Sequence, residues 1–196
     1  LLCSTALLSH ADEKMSALVF QSDFGEKDGA VASMRGVAYG VSADLKMFDL
    51  THEIPTFDIW AAAYRLNQVA SYWPAGTVFV SVVDPGVGTD RRSVVLETKS
   101  GHYFVTPDNG TLTLVADELG VAAVREIESY TFHGRDVYAY TGARLAAGVI
   151  SFAEVGRELP PKVRRLTYAQ PNRDGDVILG NIPILDVHYG NIWTNI

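Results

Sequence analysis

Short apolar runs alternate with stretches of helical periodicity along most of the chain. Residues 17–21 and 77–83 are almost continuously apolar, which is typical of strands covered on both faces, as in a parallel sheet. Apolar residues at helical spacing predict helices over 29–41 and 59–73, the second stopped by Pro74. The same reasoning predicts strands over 45–50, 93–98, 102–106 and 124–127, and helices over 112–119 and 143–150.

This order of strand, polar loop and helix predicts an α/β domain with a mostly parallel sheet. After Pro160 and Pro161 the pattern changes to short β runs at 177–179 and 182–185, which suggest the first hairpin of a second, β-rich domain. We therefore expect an extension over 1–14, the α/β domain over 15–165, and the start of the second domain over 170–196.

Composition narrows the classes of function. The 196-residue chain carries a net charge of −7 and no block of basic residues, so a nucleic-acid partner is not expected. Its one cysteine, Cys3, excludes an intrachain disulfide and a cysteine-rich metal site. The apolar residues 1–11 are too short to span a membrane. They favour an upstream extension before Met15 and thus a cytoplasmic protein, the alternative being the end of a signal peptide.

The polar residues that follow the predicted strands are the candidates for chemistry, because ligands of parallel sheets bind beyond the carboxyl ends of the strands. Asp84 directly follows the strand at 77–83, and the glycine-containing turn after it lets the backbone approach a ligand closely. Arg91, seven residues on, is placed to fold back towards Asp84. A turn carboxylate or a helix cap explains Asp84 equally well at this stage.

Two further strings contain candidate residues. His133, in what we expect to be a loop before a helix, is suited to proton transfer, although a packed loop histidine is the simpler explanation. Asp23, at the end of the first strand, is placed to accept hydrogen bonds from ribose hydroxyls, whereas Asp28 is better placed to cap the next helix. Glycine-rich phosphate loops are absent, which favours a nucleoside without phosphates over NAD or ATP.

Asp49 and His52 support a rival interpretation. Carboxylates and histidines at adjacent strand ends, joined by Asp23, Asp84 and His133, are compatible with a divalent metal and a phosphoesterase. The spacing is unfavourable, since no second histidine-rich cluster follows. The string at 107–110 is interpreted as a turn.

Six ordered strings carry a resemblance to one family. They are SDFG at 22–25, DLTHEIP at 49–55, VVDPGVGT at 82–89, PDNG at 107–110, FHGRD at 132–136 and YGNIWTNI at 189–196. Together they resemble the SAM hydroxide adenosyltransferases, relatives of the SAM-dependent fluorinase and chlorinase. The resemblance implies hydrolysis of S-adenosylmethionine to adenosine and methionine, without a cofactor or metal. It also implies a Rossmann-like domain followed by a small β-barrel, in a homotrimer with its sites between subunits.

The resemblance also implies roles for individual residues. Catalysis falls on Asp84, Arg91 and His133. Substrate binding falls on six residues, with the ribose at Asp23, an aromatic side chain near the sugar at Phe57, methionine near Asp186 and adenine at Asn191. The other two are Asp84 and Gly134, the latter lying where a halogenase would use a hydroxyl.

Two departures and three alternatives remain. Residues 137–140 (VYAY) stand where many members have Phe-Ala-Pro, for which we expect a local change in a loop, and most of the expected barrel is absent from the chain. The alternatives to a hydrolase are a SAM-dependent halogenase, the metal-dependent phosphoesterase, and a non-catalytic module that binds S-adenosylmethionine or adenosine.

Overall fold

The computed structural model describes residues 16–128, 133–186 and 189–196, and for His133 and Asp186 it describes the main chain alone. A seven-stranded sheet in the order β2-β1-β3-β5-β4-β6-β7 forms its centre. Its strands are β1 Leu18–Ser22, β2 Met47–Thr51, β3 Val78–Val82, β4 Ser93–Thr98, β5 Tyr103–Pro107, β6 Val121–Glu126 and β7 Glu158–Leu159. Strands β2, β1, β3, β5 and β6 share one direction, and β4 and β7 oppose it.

Helices cover both faces of this sheet. They are α1 Ala30–Val41, α2 Ile59–Ala70, α3 Thr113–Glu118 and α4 Tyr140–Ala146, the last preceded directly by a π-helical segment, His133–Ala139. The α1 and α4 side packs on Leu18, Phe20 and Val80, whereas the α2 and α3 side packs on Val19 and Phe79. Successive residues of a strand point to opposite faces, so β1 and β3, which are buried throughout, are almost continuous apolar runs. The expected α/β class with a mostly parallel sheet is confirmed.

Two predicted helix boundaries are wrong. The helix expected over 143–150 begins at Tyr140 and ends at Ala146. Gly148 adopts a left-handed φ of 70° and donates to the carbonyl of Leu145, which ends the helix in the way that glycine commonly does. The helix expected over 59–73 ends at Ala70. Beyond it, the N–H groups of Tyr72 and Trp73 donate to carbonyls three residues earlier, not four, so the chain closes in a 3₁₀-type turn.

The loop expected over 137–140 is helical. Val137, Tyr138 and Ala139 belong to the π-helical segment and are buried against the sheet, and Tyr140 begins α4. The segment was mistaken for a loop because its apolar residues are too few to show helical periodicity. Single π-helical turns occur frequently at functional sites.

The C-terminal residues form two separate hairpins. Strand β8, Asn172–Asp174, pairs with β9, Val177–Leu179, and β10, Ile184–Asp186, pairs with β11, Asn191–Trp193. The expected pairing of 177–179 with 182–185 is therefore wrong. Asp174 pairs with Val177 across a two-residue turn that begins with Gly175 at a φ of 58°, so the stronger turn signal lay before β9. The predicted extension over 1–14 lies outside the described residues. Within them, no helix has the length and apolar character to cross a membrane.

Candidate active site

The candidate site lies where β1 and β3 end. Asp23 follows β1 directly, and its backbone N–H donates to the carbonyl of Val82, the last residue of β3, at 3.4 Å. Asp84 follows two residues later. Because β4 is antiparallel to β5, it begins at this same edge, where Ser93 pairs with Pro107 at the end of β5. The topology thus brings residues from distant parts of the chain to one edge of the sheet.

Asp84 and Arg91 form a buried, two-pronged ion pair. Arg91 Nε donates to Asp84 Oδ1 at 2.8 Å, and Nη2 donates to Oδ2. Their side chains are 5% (Arg91) and 8% (Asp84) exposed. The turn between them packs closely around Gly86, since a β-carbon there would lie 3.2 Å from Arg91 Cγ and 3.3 Å from Thr89 Oγ1 and would push these side chains aside. The predicted return of Arg91 to Asp84 is what the structure shows, and planar two-pronged pairs of this kind are specific in geometry.

A second layer of polar side chains lies behind the ion pair. Arg91 Nη1 donates to Ser93 Oγ at 3.0 Å, and Ser93 Oγ is hydrogen-bonded to the Tyr138 hydroxyl at 2.9 Å. Tyr138 is fully buried, and this burial raises the pKa of its phenol strongly. The Arg91 guanidinium lies 5.9 Å from the centre of the Tyr138 ring. The sequence interpretation missed both residues.

Asp23 is bonded to a backbone in a rare conformation. Its Oδ2 accepts the N–H of Phe57 at 2.8 Å, and Phe57 has a φ of 64°, in the left-handed region. A bulky residue seldom adopts this conformation without a compensating reason. The Phe57 side chain is nevertheless 58% exposed, so it is held beside Asp23 with much of its ring open to solvent. The two residues that the resemblance assigns to the ribose region are therefore in direct contact.

Asp49 and His52 belong to a polar chain that joins two loops. His52 is 2% exposed, with Nε2 at 3.0 Å from Asp49 Oδ1 and Nδ1 at 2.7 Å from Ser22 Oγ. Arg35 forms an ion pair with Asp49. Burial alone would raise the pKa of Asp49, but the hydrogen bonds from His52 and Arg35 and the charge of Arg35 outweigh it and lower this pKa.

This geometry weakens the metal interpretation. Both ring nitrogens of His52 are committed to hydrogen bonds within the protein, and Asp49 is neutralised by Arg35. In the part of the chain that the structure describes, three or more histidine, cysteine or carboxylate side chains do not gather around any candidate metal position. The chain from Ser22 to Arg35 instead holds the loop after β1 against the loop after β2, together with the bond from Gly25 N–H to the His52 carbonyl.

The π-helical segment brings Gly134 to the same edge. A β-carbon on Gly134 would lie 3.2 Å from Phe24 Cζ and 3.5 Å from Val82 Cγ1, so a larger residue there would have to displace the Phe24 ring. His133 precedes Gly134 at the start of this segment, and its side chain lies outside the described part of the structure. Asp23, Phe57, Asp84, Arg91 and Gly134 are thus brought together.

The remaining predicted site residues lie on the last hairpin. Asn191 is exposed on β11 and pairs with the main chain of Asp186, whose side chain is outside the described part. This region contacts the α/β domain at Trp60, whose Nε1 donates to the carbonyl of Pro183 at 3.1 Å. A cavity of about 890 Å³ lies there, lined by α2, β2 and 183–185. Asp49 lines it, whereas the residues that the resemblance assigns to catalysis and substrate binding do not, within the described side chains.

The string at 107–110 forms a turn, as predicted. Asn109 Nδ2 donates to the carbonyl of Val83 at 2.8 Å and so holds the backbone next to Asp84. Asp108 accepts the N–H of Arg164 at 2.7 Å and so anchors the chain as it leaves β7. Asp28 accepts the N–H of Ala30 at 2.8 Å, at the start of α1. These polar side chains stabilise the loops that carry the site.

Comparison with known proteins gives the family. The sequence model of the SAM hydroxide adenosyltransferase N-terminal domain matches residues 18–156. The chain is 40% identical over 163 residues to the (R)-S-adenosyl-L-methionine hydrolase of Methanocaldococcus jannaschii, covering 78% of this chain and 60% of that protein. It is 30% identical over 212 residues to the fluorinase of Actinoplanes sp., covering 91% of this chain and 71% of that enzyme.

A solved structure agrees with the sequence comparisons. An uncharacterized conserved protein from Thermotoga maritima superimposes with a TM-score of 0.85 and 38% identity, over 91% of this chain and 71% of that one. The matched residues include β1, β3, the ion pair and the π-helical segment. On this evidence the chain belongs to the SAM hydroxide adenosyltransferase family.

Proposed function

We propose that this protein hydrolyses S-adenosylmethionine to adenosine and L-methionine. The observation that carries the proposal is the buried Asp84–Arg91 pair at the end of β3, beside Asp23 and Phe57. The 40% identity to a protein named as an (R)-S-adenosyl-L-methionine hydrolase supports the same activity. The chain spans 60% of the length of that relative, so the proposal concerns the whole protein that carries this chain.

In the proposed reaction, the oxygen of a water molecule attacks the ribose C5′ in line with the bond to sulfur. The C5′–S bond breaks, its electron pair stays on sulfur as the neutral thioether of methionine, and the water loses one proton. The sulfonium makes methionine a good leaving group, whereas water is a poor nucleophile. Positioning the water is therefore the main task of the site, and positioning can supply several kcal/mol of a barrier, about 7–11 at most.

The ion pair is suited to this positioning. Asp84 Oδ1 accepts hydrogen bonds from both Arg91 Nε and the Gly86 N–H, at 2.8 and 3.2 Å, while Oδ2 accepts one from Arg91 Nη2. A carboxylate oxygen has two lone pairs, so Oδ2 keeps one acceptor direction for the attacking water. Arg91 fixes the plane of the carboxylate and thereby that direction. We assign proton transfer from the water to His133, where it would typically contribute about 10²–10⁴-fold.

The other assignments follow the family. We propose that Asp23 accepts the ribose hydroxyls, that Phe57 borders the sugar, and that Asp186 and Asn191 contact methionine and adenine. These last two lie on the hairpin away from β3, which fits a homotrimer in which one subunit supplies the hairpin to the site of the next. The reaction as proposed requires no metal or cofactor.

The test is to express the protein to the end of its natural reading frame and incubate it with S-adenosylmethionine, EDTA and no added halide. Chromatography then follows adenosine and methionine for the wild type and for Asp84→Asn. We expect stoichiometric adenosine and methionine from the wild type. In Asp84→Asn we expect loss of turnover as well as weaker substrate binding, because the carboxylate directs the water and also attracts the sulfonium. A change in affinity alone would rule out the role assigned to Asp84.

Two controls separate the alternatives. Arg91 is 5% exposed, and removing its partner leaves a buried charge, so thermal unfolding of Asp84→Asn must show that the variant is folded at the assay temperature. The absence of adenosine, together with hydrolysis of a phosphate ester that EDTA abolishes, would favour the metal-dependent phosphoesterase. Formation of 5′-halo-adenosine only when halide is added would favour the halogenase, and tight binding without any product would favour a binding module.

A further inference from the structure

A chain of buried hydrogen bonds leads from the π-helical segment to the ion pair. The Tyr138 hydroxyl contacts Ser93 Oγ at 2.9 Å, Ser93 Oγ accepts from Arg91 Nη1 at 3.0 Å, and Arg91 donates to both oxygens of Asp84. Tyr138 is completely buried, and Ser93 is 8% exposed. Water is therefore largely excluded from this layer, and its donors and acceptors depend on one another.

The carboxylate alone does not fix the guanidinium. A two-pronged pair defines a common plane, but a guanidinium can still slide or tilt along the two oxygens. The bond from Nη1 to Ser93 adds a third fixed point, and the Tyr138 ring, 5.9 Å from the guanidinium carbon, borders it from another side. Buried donors that lose their acceptor are costly, so the guanidinium is held where all three bonds are made.

Tyr138 also belongs to the helical segment that begins at His133 and contains Gly134. Its contact with Ser93 connects this segment to the start of β4 and, through Ser93, to Arg91. The hydroxyl thus links the two parts of the site that the proposed reaction needs in register, the ion pair and the segment of His133.

We infer that Tyr138 and Ser93 are positioning residues that hold the Arg91 guanidinium, and through it the Asp84 carboxylate, in the orientation required for attack by water. Because both side chains are buried behind the ion pair, we assign neither of them a contact with the substrate. The expected effect on kcat rests on the proposed function. The expected effect on the orientation of the guanidinium rests on the buried contacts alone.

Tyr138→Phe tests this with a minimal change, since the ring and its packing remain and one hydroxyl is lost. We expect kcat for S-adenosylmethionine hydrolysis to fall about five- to tenfold, corresponding to one lost buried hydrogen bond, while KM changes less than about twofold. Tyr103→Phe is the matched control, because the Tyr103 hydroxyl also donates a hydrogen bond, to Glu97 at 3.1 Å, but on the far end of β5. We expect its kcat to equal that of the wild type.

The paired variants give a sharper test. Ser93→Ala should lower kcat in the same way, and Ser93→Thr, which keeps a hydroxyl at this position, should restore most of it. If the two hydroxyls act as one chain, the double variant Ser93→Ala/Tyr138→Phe is no slower than the slower single variant. Losses that multiply in the double variant, or an unchanged kcat in Tyr138→Phe, would overturn the inference.

A measurement independent of turnover keeps this inference apart from the proposed function. The ¹⁵Nε–H resonance of Arg91, assigned by its loss in Arg91→Lys, reports directly on the guanidinium. We expect it to shift and to exchange faster with solvent in Tyr138→Phe but not in Tyr103→Phe. If the wild type produces no adenosine while this change is observed, the proposed function fails and the positioning role stands. An unchanged resonance contradicts the positioning role whatever the activity.

Discussion

Phe57 offers a direct test of whether the loop beside Asp23 stores backbone strain. Its φ is 64°, its N–H is bound by Asp23 Oδ2 at 2.8 Å, and its side chain is 58% exposed. Phe57→Gly and Phe57→Ala both remove the ring, so their difference isolates the backbone. The left-handed conformation costs a residue with a β-carbon about 1–2 kcal/mol, and glycine nothing. Glycine in turn loses about 0.4–1 kcal/mol relative to alanine through the greater freedom of its unfolded chain.

Taking the middle of each range, the glycine variant is expected to be more stable than the alanine variant by about 0.8 kcal/mol. At a position with ordinary φ the order is reversed, so the sign itself is informative. Urea unfolding followed by circular dichroism measures the difference. With a typical m value of about 2 kcal/mol per M, the glycine variant should have a midpoint about 0.4 M higher.

The same two variants separate stability from function. Because both lack the ring that we place beside the sugar, both are expected to raise KM for S-adenosylmethionine by similar factors, although they differ in stability. Such a result would mean that a strained aromatic residue is retained at the expense of stability, as is common at functional sites. An alanine variant as stable as the glycine variant would refute the argument from strain.

Three further outcomes are expected. Gly142→Ala should lower the free energy of unfolding by about 1–3 kcal/mol, because the added methyl group would collide with Val80 Cγ2. Gly36→Ala, on α1 with open space around it, should raise the free energy of unfolding by about 0.5–1 kcal/mol. Urea unfolding of both variants tests these opposite signs. The lowered pKa of Asp49 means that its contribution to stability is complete above its ordinary value of 3.8 and is lost as the pH falls through the lower, folded-state value. The difference in unfolding free energy between wild type and Asp49→Asn should thus shrink as the pH falls below about 4, and growth of this difference over the same range would contradict the assignment.

The sequence was informative about contacts that follow from short spacing along the chain or from the order of the strands. Asp84 and Arg91 are seven residues apart across a glycine turn, so their contact could be predicted from spacing. Asp23 was placed correctly at the edge of the sheet because strand ends converge in a parallel arrangement. In both cases a local pattern and the sheet topology were sufficient.

The contact of Tyr138 with Ser93 could not be predicted because these residues are 45 apart in sequence and no periodicity relates them. The same holds for Ser22 and His52 in the polar chain with Asp49, which are 30 apart. Serine and tyrosine hydroxyls occur in many environments, so their types alone do not indicate a partner. The left-handed backbone of Phe57 also has no sequence signal, since phenylalanine is among the residues that disfavour it.

Asp23 shows how these long-range contacts prepare the site for a substrate. One of its oxygens, Oδ2, accepts the Phe57 N–H, and its own N–H is held by the Val82 carbonyl, so the carboxylate is fixed relative to β3 before anything binds. A carboxylate offers about four acceptor positions, which leaves Oδ1 and part of Oδ2 for two ribose hydroxyls. Under the proposed function, substrate binding therefore need not break the bond that holds Phe57 in its strained conformation. The ordering of this loop is completed during folding, and the substrate does not have to supply the free energy for it.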